Sequence, residues 1–547
     1  MRRVIRTSAR MARAGVLGSW LAILTAAPAV AFAVNLPAAP VTFDTTYAAP
    51  SGTTIAVNSG GDLQAALDAA KLGDTIVLAA GATFTGPFKL PNKASGTGWI
   101  YVTSSAYGSL PGPGARIAPT DAVNMPRIAG TATGSVALAT AVGAHHFRFV
   151  GIEFAPAAGQ FLYELIAVGN NDTSVATVPT NIVFDRCYIH SDIAVGGRRG
   201  AELDGAYIAV VDSYVSGFRE AGADTQALWA YNGPGPLKIV NNYLEAAGEN
   251  VMFGGADAVI PNMVTSDIEI RDNYFFKPLS WVGSRWVVKN LLEFKNAQRA
   301  LVTHNRFENV WAAGQNGFAI VLTPRDQNGG APWTTVRDIE VSNNVIVDAG
   351  SGFNILGSDD QHVSQLTYRL YIHNNVVTVN GKNGAKGVVF QVLRGPVDVT
   401  VDHNTAFASS PLGSSAIAYT ETNAPGGLTD RFTFTNNLAT YGNYGFFGRG
   451  TSDGLSTLTG HFSNYLFAKN AIIGGNTSHY PAGNFAPANV AAVQFVNYTG
   501  GDYRLAAGSP YKNAGTDGKD IGADVSLVPS GISGVAPPQP PSNVRVQ

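Results

Sequence analysis

The feature that most constrains this chain is a short phrase that keeps returning: apolar, any, apolar, any, then Asn, often doubled and followed by an aromatic or aliphatic residue. It occurs as Ile239-Val240-Asn241-Asn242-Tyr243, Ile270-Arg271-Asp272-Asn273-Tyr274, Val302-Thr303-His304-Asn305, Val341-Ser342-Asn343-Asn344, Ile372-His373-Asn374-Asn375, Val401-Asp402-His403-Asn404, Phe434-Thr435-Asn436-Asn437 and Phe462-Ser463-Asn464. Two earlier copies end differently, with Cys187 in Phe184-Asp185-Arg186-Cys187-Tyr188 and Ser213 in Val211-Asp212-Ser213-Tyr214. The spacing from Cys187 to Asn464 averages about 31 residues per step, too short for separate domains and within the range of solenoid repeats. Each phrase is followed by a second apolar run, such as Val251-Met252-Phe253, Leu291 to Phe294, Ile320 to Leu322 or Phe353 to Leu356. Several short strands per step, with Asn at a recurring turn, predict an all-β parallel β-helix of about a dozen coils. The asparagines and Cys187 are expected to be structural, the amides bonding one to the next along the axis as in cross-β ladders.

Composition agrees: 62 Gly and 14% charged residues suit a turn-rich β protein. With 36 basic and 38 acidic residues there is no global field to attract nucleic acid. Residues 1–33 have the form of an export signal, with Arg2, Arg3, Arg6, Arg10 and Arg13, an apolar stretch and Ala31-Phe32-Ala33, so the expected mature chain is secreted, periplasmic or at the cell surface, off the membrane and monomeric. An uncleaved anchor and, from Arg2-Arg3, twin-arginine export are the alternatives. The single Cys187 has no internal disulfide partner. Residues 34–528 are expected to form the β-helix, with a capping helix near Asp62 to Leu72 and coils to about residue 510, including Asp502-Tyr503-Arg504-Leu505. Residues 529–547 are a Pro-rich tail or linker.

The opening GGDLQAALDAAKLGDTIVLAAG, the Asn phrases and the closing DYRLAAGSPYKNAG resemble the pectin-lyase-like right-handed parallel β-helix superfamily over nearly all the mature chain. That resemblance implies the fold; its members include polysaccharide lyases, glycoside hydrolases, epimerases, esterases and non-enzymatic surface proteins.

If the second runs stack about 4.8 Å apart, their outward positions form a polar stripe of Gln226, Glu249 or Asn250, Glu293 with Lys295, Thr323 with Arg325, Asn354 and Gln391. Trp281, Trp286, Trp311 and Trp333 fall in turns around these coils and Trp229 in an adjacent run; their flat faces suit sugar rings, or serve loop packing. A lyase acting on uronate polysaccharide must offset the substrate carboxylate and remove the neighbouring proton. Two cations about 5 Å apart at an effective dielectric near 20 repel by roughly 3 kcal/mol, so Arg325 would lower the Lys295 pKa by about two units. Glu293 opposes that shift unless a cation such as Ca2+ is held by Glu293 with Glu249 or Asn250. The arrangement resembles the chondroitinase B and alginate lyase family, which implies Glu293 as metal ligand, Lys295 as base and Arg325 as the arginine of the next coil. This chain departs from that family in its Glu-to-Lys spacing, the lack of a second Glu, and Asp326-Gln327 after the Arg. A glycoside hydrolase would need paired carboxyls, for which Asp204, Asp224, Asp257 and Asp359-Asp360 are the candidates. A non-catalytic glycan-binding scaffold would need neither.

Overall fold

The computed structural model describes residues 33–132, 134–169, 171–422 and 427–530. The expected export signal, but for Ala33, and all but the first two residues of the Pro-rich tail lie outside the described residues. The chain coils through three long parallel sheets of 14, 13 and 12 strands, here called first, second and third. One coil runs through Thr265–Arg271 in the first sheet, Tyr274–Phe276 in the second and Leu292–Phe294 in the third. The next runs through Ala297–Thr303, Arg306–Val310 and Phe318–Leu322.

Register follows the alternation of apolar residues. In the first sheet Ile268 pairs with Ala300, Ala300 with Ile339 and Ile339 with Leu370, all buried inside the coils. Every coil adds such a layer, so the core is one continuous apolar column.

The recurring Asn closes the corner between the first and second sheets. The residue before it takes the left-handed conformation, as at Asn241 (φ 55°), Asp272 (φ 60°), His304 (φ 56°) and His403 (φ 50°), types that tolerate it through local side-chain hydrogen bonding. The ladder Asn then faces inward. Asn305 Oδ1 accepts from Asn273 N–H and Nδ2, each at 3.0 Å, and Asn305 Nδ2 donates to Asn344 Oδ1 at 3.0 Å. The same bonds run through Asn242, Asn375, Asn404, Asn437 and Asn470 to Asn484. Towards the N-terminus, Ser213 Oγ takes over, accepting from Cys187 N–H at 2.9 Å. The Cys187 thiol is buried against the Phe149 and Asp185 carbonyls, and burial pushes its pKa up to about 12, so it stays a neutral packing group.

Two expectations are corrected. Asn464 is not a ladder member: it lies within the last strand of the first sheet, Phe462–Ala468, with φ 51°, exposed, donating to Asp430 Oδ1 at 2.9 Å, and Asn470 is the ladder residue of that coil. Phe462-Ser463-Asn464 and Phe467-Ala468-Lys469-Asn470 both place an Asn shortly after a Phe, and the ladder Asn is the one three residues on, as in Phe434-Thr435-Asn436-Asn437. Second, the segment around residue 502 is no coil. Phe495–Asn497 and Asp502–Leu505 pair antiparallel, and this hairpin with Val493, Tyr511 and Ile521 covers Phe407, Leu438 and Ile473 on the outside of the second sheet. Those outward apolar residues need a cover, which the chain end supplies.

At the other end, the expected cap is the helix Leu63–Ala69, with Asp62 Oδ1 accepting from Ala65 N–H at 2.9 Å and Leu63, Ala66 and Leu67 buried. Before it, residues 35–48 lie extended along the outside of the first sheet. Asn35 reaches Asp398, Ala38 N–H reaches Asp338, Val41 N–H reaches Asp267, the Phe43 carbonyl takes Lys238, and the Thr45 carbonyl takes Arg148. The aspartates it grips belong to an ion-pair file on that face, Arg299 with Asp267, Arg369 with Asp338 and Arg431 with Asp398.

Candidate active site

The third sheet carries the residues singled out from sequence, and its register sorts them into two outward files. Trp229, Met252, Glu293, Val321, Asn354, Gln391 and Tyr419 stand one above the other. Gln226 and Glu249 pair in the neighbouring file. The split arises because alternation breaks within Glu249–Phe253: Glu249 lies outward, while Asn250 and Val251 both turn in. Of the Glu249-or-Asn250 alternative, only Glu249 is thus placed. Asn250 Nδ2 bonds the Leu244 and Phe276 carbonyls and its Oδ1 accepts from Lys277 Nζ at 2.9 Å, which removes it as a metal ligand.

Two carboxylates lie almost wholly covered here, Glu249 at 0% and Glu293 at 2% exposure. Glu249 Oε2 accepts from Gln226 Nε2 at 2.7 Å, and Lys289 Nζ stands 3.6 Å from its Oε1. Glu293 accepts from Asn290 Nδ2 at 3.1 Å, and Lys295 Nζ stands 3.7 Å from its Oε1. Burial raises the Glu249 pKa, as does the negative charge of Glu293, while Lys289 and Lys295 oppose the rise. Lys289 also pairs with Asp224, and Gln226 links through Arg199 to Glu164. Sequence reading missed Lys289 and Asn290, because they sit in the turn before the strand, where no alternation assigns a face.

Lys295 and Arg325 occupy adjacent coils as expected: Arg325 N–H donates to the Lys295 carbonyl at 3.0 Å. The Arg325 guanidinium, however, is held by Asp359 at 2.8 Å and Asp360 at 2.6 Å. The expected Lys295–Arg325 repulsion therefore does not act alone, since carboxylates neutralise both cations. This engagement also accounts for Asp359-Asp360; of the other acidic candidates, Asp257 accepts from the Asn328 and Gly330 N–H groups.

The tryptophans divide. Trp281 and Trp311 are buried with Ala247 and Val288 and so are corrected to packing residues without a face for a sugar. Trp229 is also covered, stacked on Tyr231 at 4.5 Å with Arg199 over its ring at 4.0 Å and its N–H on the Gly254 carbonyl. Trp286 is half-buried beside Arg285 and Arg219, and Trp333 is half-buried with its N–H on the Met263 carbonyl.

No protein-family model and no curated protein matches the sequence. Two solved structures superpose on it over 89% of this chain: the PL6 family alginate lyase AlyGC, 15% identical with TM-score 0.53, and a point mutant of that enzyme, 14% identical with TM-score 0.55. The chain is a right-handed parallel β-helix. It spans 59% of the length of each of these two chains.

Near its buried carboxylates the β-helix holds a second acidic pair. Glu202 lies in the Trp229 file, and Asp204, two residues on, accepts from the Tyr231 and Asn232 N–H groups at 2.7 and 2.9 Å. Burial raises both pKa values; the Asp204 charge adds to the rise of Glu202, whereas the hydrogen bond from Glu202 and those from the two N–H groups hold the rise of Asp204 to about 6. A carboxyl whose folded pKa lies above its unfolded value stabilises the fold below the unfolded value, and that contribution is lost as pH rises through the folded one. The Asp204 contribution is therefore lost as pH rises from about 4 to about 6. Asp204→Asn, which keeps the acceptor for both N–H groups, should flatten that slope in denaturant melts collected across this range.

Proposed function

We propose that this β-helix cleaves a uronate-containing polysaccharide by β-elimination on the outer face of its third sheet. The observation that carries the proposal is the placement, in adjacent coils, of Lys295 beside the buried Glu293 and of Arg325, whose backbone bonds that of Lys295. The likeness in fold to alginate lyases supports the substrate class, alginate being a polyuronate. No helix among the described residues is long and apolar enough to cross a membrane, and the export segment expected at residues 1–33 would place the enzyme where such polymers occur.

In this reading Lys295, after giving up its own proton to solvent, takes the proton from the carbon bearing the substrate carboxylate. The released electron pair forms the carbon–carbon double bond, the bond to the glycosidic oxygen breaks, and that oxygen leaves with a proton from water or a protonated side chain. Arg325, on releasing its bond to Asp360 at the sheet surface, stabilises the negative charge that develops on the carboxylate. Ca2+ is the cofactor that the donor set fits: Glu249 Oε1 and Asn290 Oδ1 are buried oxygens without hydrogen-bond donors, and Glu293 lies beside them. Among the described residues no three His, Cys, Asp or Glu converge, so the set is two carboxylates and an amide. Bound there, Ca2+ would offset the charge of the substrate carboxylate.

The test is ultraviolet absorbance of the new double bond during incubation with pectate, alginate, chondroitin and dermatan sulfates and ulvan. Absorbance should rise with one of these and stop on chelation with EDTA. New reducing ends without absorbance would transfer the assignment to glycoside hydrolysis, for which the raised pKa values of Glu202 and Asp204 offer a proton donor. Neither signal would leave a glycan-binding scaffold.

A further inference from the structure

The Glu293 file changes character along the axis. On the N-terminal side it is closed, with Met252 at 4%, Glu293 at 2% and Val321 at 2% exposure. Past Val321 it opens: Asn354, Gln391, Tyr419 and Phe447, each a register partner of the next, are half-buried outward residues. Gln391 Nε2 donates to Asn354 Oδ1 at 2.9 Å, which fixes an amide pair on the face. The Tyr419 and Phe447 rings lie 5.1 Å apart, and Tyr444, 49% exposed, lies 5.0 Å from Phe447 at an interplanar angle of 31°. Tyr419 is set by its hydroxyl, which donates to Glu421 at 2.8 Å, and Arg449 at 3.6 Å offsets the Glu421 charge.

A run of partly exposed rings is costly to leave against water, yet no chain segment among the described residues covers it as the C-terminal hairpin covers the second sheet. Its file is continuous with the carboxylate–lysine cluster, and its members recur at about 4.8 Å, close to the length of one pyranose unit. Amides that bond hydroxyls, followed by rings that contact the apolar C–H faces of sugars, match an extended glycan and no flat apolar partner. We propose that Asn354, Gln391, Tyr419, Phe447 and Tyr444 form distal subsites for a uronate-containing polysaccharide, so that the polymer lies along the helix axis with its cleaved bond at Lys295. Tyr419 and Phe447 stand four and five coils from Glu293, about 19 and 24 Å away. The proposal rests on the function proposed above, and it adds a dependence on chain length.

Calorimetric titration with oligosaccharides prepared from alginate and from pectate tests it, in a Lys295→Arg background so that the ligand stays whole. Tyr419→Ala/Phe447→Ala should weaken octamer binding about tenfold or more and leave trimer binding unchanged, tenfold being about 1.4 kcal/mol. Tyr444→Ala, a change at a ring already 49% exposed, should give a smaller loss in the same direction without disturbing the fold. Unchanged octamer affinity in both variants, or no octamer binding to the parent chain, overturns the platform. Selective octamer loss without any unsaturated product from the unsubstituted chain would keep the platform and remove the lyase. Cleavage by the unsubstituted chain with unaltered octamer affinity in the variants would do the reverse.

Discussion

Lys295→Arg should lower the rate of unsaturated-product formation by about three orders of magnitude, the scale of a lost general base, while the melting temperature stays close to that of the unsubstituted protein. Arginine remains protonated at any pH the protein survives, so it cannot take the proton, but it keeps a cation beside Glu293. That second property decides the choice of variant. From sequence, Lys295 reads as an outward residue whose truncation to alanine would leave folding nearly intact. The structure corrects this: the Lys295 side chain is only 13% exposed and neutralises a carboxylate that is 2% exposed. Alanine would strand that charge at a cost of about 3–5 kcal/mol and confound loss of activity with loss of fold. Rate measurements beside thermal melts of both variants separate the two roles.

Asn305→Ala is expected to destabilise the protein by about 5 kcal/mol, the sum of several buried polar groups stranded at about 1–3 kcal/mol each. Its Oδ1 satisfies the Asn273 backbone N–H and amide, and its Nδ2 bonds the Ile270 and Thr303 carbonyls and Asn344. No water reaches this corner, since Asn305 is 0% exposed. In a solenoid the damage falls first on the interface between neighbouring coils, so denaturant unfolding should also lose cooperativity. Asn464→Ala, at the exposed Asn outside the ladder, should cost only about 1–2 kcal/mol, the strain of an alanine at φ 51°. Equal losses at the two positions would contradict the ladder assignment.

The fold was legible because its determinants are local and repeated: a left-handed corner residue and a period-2 apolar run recur from coil to coil, with an inward Asn from Asn242 onward. The adjacency of Lys295 and Arg325 was legible for the same reason, being one coil apart in register. What failed to show was whatever depends on side-chain competition between coils. Nothing in Glu249-Asn250-Val251 says that two consecutive residues turn inward, a bend forced where the strand meets the corner and Lys277 binds Asn250. Lys289 lies in a turn and reaches Glu249 only through tertiary folding. Trp281 and Trp311 bury themselves in one cluster with Ala247 and Val288, brought together from separate turns that no periodicity announces. The C-terminal hairpin carries the alternation of a coil strand, and only the uncovered Phe407 and Leu438 reveal why it folds back instead.

The most direct measurement is the mass of the products released from a defined uronate oligosaccharide. Elimination predicts fragment pairs whose masses sum to the parent, one fragment carrying the new double bond and so lighter by one water than its hydrolytic counterpart. Pairs that sum to the parent plus one water would contradict elimination at Lys295 and identify a hydrolase on the same β-helix.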